Sequence, residues 1–109
     1  MSALGRIGPD AEPAVPYLVS LLADEETRVR TVAAATLKKI GPDCVPFLVE
    51  AMTDPDAILR ERAALLLGQL RATDDASIEA LLEALSDYDE DVRAAARRSL
   101  EIIEAVPAK

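Results

Sequence analysis

Apolar residues recur along this chain at every third or fourth position. Val15, Leu18, Val19 and Leu22 stand at i, i+3, i+4 and i+7, and therefore share one face of a helix. The same set returns as Val45, Leu48, Val49 and Met52, and again as Ile78, Leu81, Leu82 and Leu85. These three stripes predict helices over about 13–23, 44–53 and 76–86. A second stripe follows each of them: Val29, Ala33, Leu37 and Ile40, then Leu59, Ala63, Leu67 and Leu70, then Val92, Ala96, Leu100 and Ile103. It predicts longer helices over about 25–40, 55–71 and 88–105.

The alternation of short and long helices is an internal repeat. The run Ala-Thr-Leu-Lys-Lys-Ile-Gly-Pro-Asp at 35–43 echoes Ala-Leu-Gly-Arg-Ile-Gly-Pro-Asp at 3–10, and Pro-Phe-Leu-Val at 46–49 echoes Pro-Tyr-Leu-Val at 16–19. Ile7, Ile40, Leu70 and Ile103 mark equivalent positions at spacings of 33, 30 and 33 residues. The chain divides into a partial repeat at 1–8 and repeats at about 9–41, 42–71 and 72–105, all within one domain, 1–109. A single amphipathic helix pair cannot bury its own stripe, so neighbouring pairs must cover it. The predicted fold is all-α: an α-α superhelix, a solenoid of about three helix pairs plus an N-terminal partial helix.

Local punctuation agrees with this plan. Asp24, Asp54 and Asp87 fall between the helices of each pair, where a carboxylate can accept bonds from free backbone N–H groups. Pro55 is expected at the first helical position, and Asp87 and Glu90 have the spacing of a capping box. Gly8-Pro9 and Gly41-Pro42 are expected to stop the long helices, while Pro16 and Pro46 fit the first turn of the short ones.

These residues resemble the short HEAT-like repeats first associated with phycobilisome lyases. The motif is a turn aspartate, then Val-Arg, an alanine-rich run, Leu and a closing Ile-Gly. Here it reads Asp24, Val29-Arg30, Ala33-Ala34, Leu37, Ile40-Gly41, with Asp54, Leu59-Arg60, Ala63-Ala64, Leu67, Leu70 as the second copy. The third is Asp87, Val92-Arg93, Ala96, Leu100, Ile103. The resemblance spans nearly the whole chain and implies a structural ladder along the stack, in which Arg30, Arg60 and Arg93 pair with Asp24, Asp54 and Asp87. Arg and Asp of one repeat are six positions apart, a net 240° of helix rotation, so each Arg is expected to reach the aspartate or turn carbonyls of a neighbouring repeat.

The array is incomplete at its start. Ala3-Leu4-Gly5-Arg6-Ile7 is only the tail of a long helix, as in a piece of a longer solenoid or one whose end is covered by another element. The last helix carries Arg97, Arg98, Glu101 and Glu104 in place of small residues and reads as a cap. The N-terminal stripe, including Val15 and Leu22, is expected to be partly uncovered, which favours self-association.

Composition narrows the chemistry. Half of the residues are hydrophobic but only 3% are aromatic, so the core is aliphatic and strand formers are scarce. The net charge of −8 opposes binding to nucleic acid or to an anionic membrane, which leaves another protein as the expected partner. Cys44 is the one cysteine, the start Met1-Ser2-Ala3-Leu4-Gly5-Arg6 lacks an apolar signal region, and no run reaches bilayer length. A cytoplasmic location is expected.

The chain has no histidine, which removes His-based catalysis and most zinc or non-haem iron sites, including the di-iron centre of HEAT-repeat hydroxylases. Asp87-Tyr88-Asp89-Glu90-Asp91 lacks the glycine and ligand spacing of a calcium loop and reads as a solvated capping turn. The four glycines form no phosphate loop. Cys44 aligns with Ala14 and Ser77, a slot for a small residue; its place near a helix start leaves a reactive thiol as the alternative. No cofactor and no enzymatic activity are expected.

The expected function is a non-catalytic protein-interaction scaffold. In the family that the repeats resemble, the long helices line the inner face, and positions expected to point outward there carry both charges. From the first long helix these are Lys38 and Lys39, beside Thr31, Val32 and Ala35. The second adds Glu61, Arg62, Leu65 and Gln69, and the third Arg98 and Glu101. Family analogy also offers a lyase handling a tetrapyrrole, but only Tyr17, Phe47 and Tyr88 could wall such a ligand. A DNA-binding alternative would use Lys38, Lys39, Arg62 and Arg98 against the overall charge.

Overall fold

A computed structural model describes residues 14–103. The partial repeat expected at 1–8, with Ile7 and Gly8-Pro9, and the end of the last expected helix at 104–105 lie outside the described residues. The elements are α1 (Ala14–Ser20), continued by a 3-10 turn at Leu21–Ala23, then α2 (Thr27–Ile40) and a 3-10 turn at Gly41–Cys44. They are followed by α3 (Val45–Ala51), α4 (Ala57–Gln69), α5 (Asp75–Ala84) and α6 (Glu90–Ile102). No strand occurs among the described residues. Short and long helices alternate in three pairs, the architecture of an α-α solenoid.

Each long helix begins two residues later than its apolar stripe suggests. The turn aspartates are not their N-caps. Each instead accepts the N–H two residues ahead, at 2.9 Å: Asp24 from Glu26, Asp54 from Asp56, Asp87 from Asp89. This side-chain turn occupies the residues that would otherwise open the helix. The N-caps are Glu26, Asp56 and Asp89. Pro55 consequently lies in the turn, and the capping box expected between Asp87 and Glu90 is replaced by Asp89, whose Oδ1 accepts from Asp91 and Val92 N–H at 2.8 and 3.2 Å. A cap of this kind contributes about 1 kcal/mol.

The ends of α2 and α4 differ. Gly41 closes α2 at φ 83°, its N–H bonded to the Leu37 carbonyl. α4 ends without a glycine. Arg71 takes the left-handed conformation, φ 54°, while Ala72 N–H bonds to Leu67 O and Arg71 N–H to Gly68 O. That is the Schellman pattern, with an arginine where glycine is usual. The Arg71 side chain donates from Nη1 to the Ile102 carbonyl at 3.0 Å, tying the end of α4 to the end of α6.

One fully buried leucine from each layer forms a continuous spine: Leu22, Leu37, Leu48, Leu67, Leu81 and Leu100. Each such burial contributes about 1.5–3 kcal/mol relative to exposure. Ala33, Ala63 and Ala96 are buried beside it and let the long helices approach. Two expectations about the stripes fail. Leu82 is 48% exposed, because α5 turns Ser77, Leu81 and Ala84 inward and Leu82 is a further 100° round the helix. Val15 and Leu22, expected to be partly uncovered, are each only 2% exposed, with α1 and its 3-10 turn packed against α2, α3 and α4.

The long helices are not evenly spaced. α4 packs along nearly all of α6. At the crossing, Gly68 lies against Ser99, whose hydroxyl donates to the Ala64 carbonyl. In repeat register the corresponding pair between α2 and α4 is Lys38 with Leu66. Neither is small, the 3-10 turn at Leu21–Ala23 packs against both α2 and α4, and the two long helices touch over only a short stretch.

Candidate protein-binding groove

Arginine at the fourth position of each long helix closes the turn that precedes it. Arg30 Nη1 donates to Asp24 O at 2.6 Å and Glu25 O at 3.1 Å. Arg60 Nη1 donates to Asp54 O and Pro55 O, and Arg93 Nη1 to Asp87 O and Tyr88 O. The carbonyls reached are those of the same repeat, not of the neighbour. The rotation argument applied to helical positions, whereas the turn residues precede the helix, and a helical side chain leans back toward its own N-terminus.

Arg60 also reaches across. Its Nε and Nη2 donate to Asp87 Oδ2 and Oδ1, both at 2.9 Å. The two side chains are only 15% and 14% exposed. The hydrogen bonds from Arg60 hold the Asp87 carboxyl below the usual carboxylate range, with the Asp89 N–H acting the same way. Among the described residues this is the one ion pair between repeats; Arg30 bonds Thr27 Oγ1 rather than Asp54.

The space between α2 and α4 is a groove of about 320 Å³. Leu22 and Leu66 form part of its floor, and Thr27, Arg30, Thr31, Ala34, Ala35 and Lys38 line the α2 side. Arg62, Leu65 and Gln69 line the α4 side. Four residues expected on the binding face therefore meet there: Lys38, Arg62, Leu65 and Gln69. Lys39, Glu61, Arg98 and Glu101 do not line it. Glu61 is half-buried; burial pushes its carboxyl up, the Arg62 charge opposes this, and Asp91 and Asp89 add to it. Arg98 and Glu101 are exposed on α6.

Among the described residues no carboxylate lines the groove, although the chain has 20 acidic and 12 basic residues. The Nε of Arg62 is buried and has no hydrogen-bond partner. Neither point was legible from stripe positions: the contributions of Leu22, Thr27 and Arg30 depend on where the turn after α1 lies between the long helices.

The other candidate chemistry is dispersed or closed off. Tyr17 is 65% exposed and Tyr88 wholly so, and neither lines the groove; Phe47 borders a separate concavity between α1 and α3 with Pro16, Val19 and Leu59. The three aromatics do not wall one pocket. Cys44 is fully buried, its Sγ donating to Gly41 O at 3.1 Å, and burial pushes its thiol pKa up against a lowering by its backbone hydrogen bond. It fills a small-residue slot. No helix among the described residues is long and apolar enough to cross a membrane.

A family model for HEAT repeats matches residues 15–101. No curated protein matches the chain. The matched span runs from the first apolar residue of α1 to the last turn of α6 and takes in all three helix pairs, and the chain belongs to the HEAT-repeat family.

Proposed function

We propose that this chain is a non-catalytic protein-binding scaffold of short HEAT repeats and that the α2–α4 groove is its recognition surface. HEAT repeats generally serve as interaction scaffolds, and the observation that carries the reading here is the groove itself. It is a concave strip on the long-helix side, lined by small and aliphatic side chains with Lys38, Arg62 and Gln69 at its edges. An apolar floor with a few polar groups at the rim is the usual composition of a peptide-binding surface. A reducing, cytoplasmic setting suits the lone thiol of Cys44.

The test is a pull-down with the full chain from lysate of its source organism, run beside Ala35→Trp, which fills the groove from an exposed position of α2. A partner held by the native chain and lost by Ala35→Trp, with an unchanged melting temperature, supports the reading. Equal capture by both removes the groove from consideration.

A further inference from the structure

We infer that the occupant of the α2–α4 groove is an acidic peptide segment whose carboxylates flank an aliphatic side chain; this rests on the docking reading above and specifies its partner. Charge is the first ground. On a molecule of net charge −8, the groove is lined, among the described residues, by Lys38, Arg62 and Arg30 and by no carboxylate. Electrostatic screening acts over about 8 Å at physiological ionic strength, so a short segment inside the groove feels the cations that line it most strongly, with Glu61 beside Arg62 as the nearest opposing charge.

The second ground is the unmet donor. Arg62 Nε–H is buried without a partner, and leaving such a group unpaired is costly. A carboxylate in the groove supplies an acceptor once the Arg62 side chain turns to expose Nε, because the guanidinium fork matches a carboxylate in plane and spacing. Arg30 differs: its Nη atoms are already committed to the turn carbonyls and Thr27, so it adds charge without a free fork.

Spacing supplies the third. In repeat register Lys38 corresponds to Gly68, six residues beyond Arg62, or about 9 Å along the helix axes. Ala34, Ala35 and Leu65 lie between the two cations and offer an aliphatic strip. Two carboxylates that far apart with an apolar side chain between them would satisfy both ends and cover the strip. Nucleic acid fits less well, since any strand longer than the groove must run onto the acidic surface around it.

Fluorescence anisotropy with the full chain distinguishes these cases. The probes are a labelled short peptide with paired glutamates flanking leucines, its counterpart with glutamine for glutamate, and a labelled single-stranded oligonucleotide. The acidic peptide is expected to bind, to weaken with salt, and to lose about tenfold in affinity in Arg62→Gln, as for one charge-assisted hydrogen bond. Lys38→Gln, at an exposed position and of similar length, should weaken it as well with an unchanged melting temperature. Equal binding of the acidic and glutamine peptides, preference for the oligonucleotide, or no effect of either substitution overturns the inference. A lysate partner lost by Ala35→Trp but kept by Arg62→Gln and Lys38→Gln would overturn the acidic specificity alone and leave the docking reading standing.

Discussion

Replacing Gly68 with alanine tests how the second and third repeats are joined. In an exposed helix interior this change is favourable by about 0.5–1 kcal/mol, because alanine loses less backbone entropy on folding. Here the added methyl would lie 2.7 Å from the Cα of Ser99 and nearer still to its Cβ and Oγ. Carbon atoms pack at about 3.5–4.0 Å, so α4 and α6 must separate by roughly 1 Å. That separation loosens the most extensive helix contact in the molecule and stretches the bond from Ser99 Oγ to the Ala64 carbonyl. Overpacking of this kind costs about 1–3 kcal/mol and occasionally more, which outweighs the entropic gain. A net loss of about 1–2 kcal/mol should lower the melting temperature by roughly 4–16 °C for a domain of this size. Thermal melts followed by far-UV circular dichroism measure it. Adding Ser99→Gly to Gly68→Ala removes the two nearer contacts but not the Cα, so recovery should be partial. A Gly68→Ala protein that melts at or above the native temperature would falsify the close-approach argument.

Asp87→Asn should cost about 1–3 kcal/mol near neutral pH by removing the acceptor charge that Arg60 grips. Because that pairing lowers the Asp87 pKa, its stabilisation is complete above the ordinary carboxylate value of about 4 and is lost as pH falls through the lower folded value. Urea midpoints of native and Asp87→Asn proteins should therefore converge in acid, and a constant gap would refute the pairing. Gly41→Ala should destabilise by about 1–3 kcal/mol in the same assay despite open space around the new methyl, since φ 83° itself is unfavourable for alanine. Iodoacetamide should label Cys44 at a rate limited by unfolding; rapid modification of the native chain would contradict the raised thiol pKa and its burial.

The period of the apolar residues was enough for the helix pairs, their order and the spine, because burial on a helix imposes a spacing that composition cannot hide. It was not enough for the helix starts. Asp54 and Asp56 are both plausible caps in a sequence, and only the side-chain turn made by the first decides between them. The Arg71 cap was illegible for a similar reason: an arginine carries no mark of left-handed backbone, and its bond to Ile102 spans two repeats. Half of the expected binding face converges on one groove, since residues three, four and seven apart, such as Arg62, Leu65 and Gln69, share a helix side. Glu61 and Arg98 fall outside that groove because which side faces which neighbour depends on how the long helices pack, and α4 packs far more extensively on α6 than on α2.

Repeat proteins behave like a linear chain of coupled units, each stabilised by itself and by the interfaces on either side. The junction at Gly68 and Ser99 is a strong coupling, and the looser one between α2 and α4 is a weak one. The second and third helix pairs should then open together, and the first should open ahead of them, with amide protons of α1 and α2 exchanging before those of α4 and α6. A segment bound in the groove bridges the weaker junction, so occupancy would be read out as cooperativity: three units that melt in two steps would melt in one.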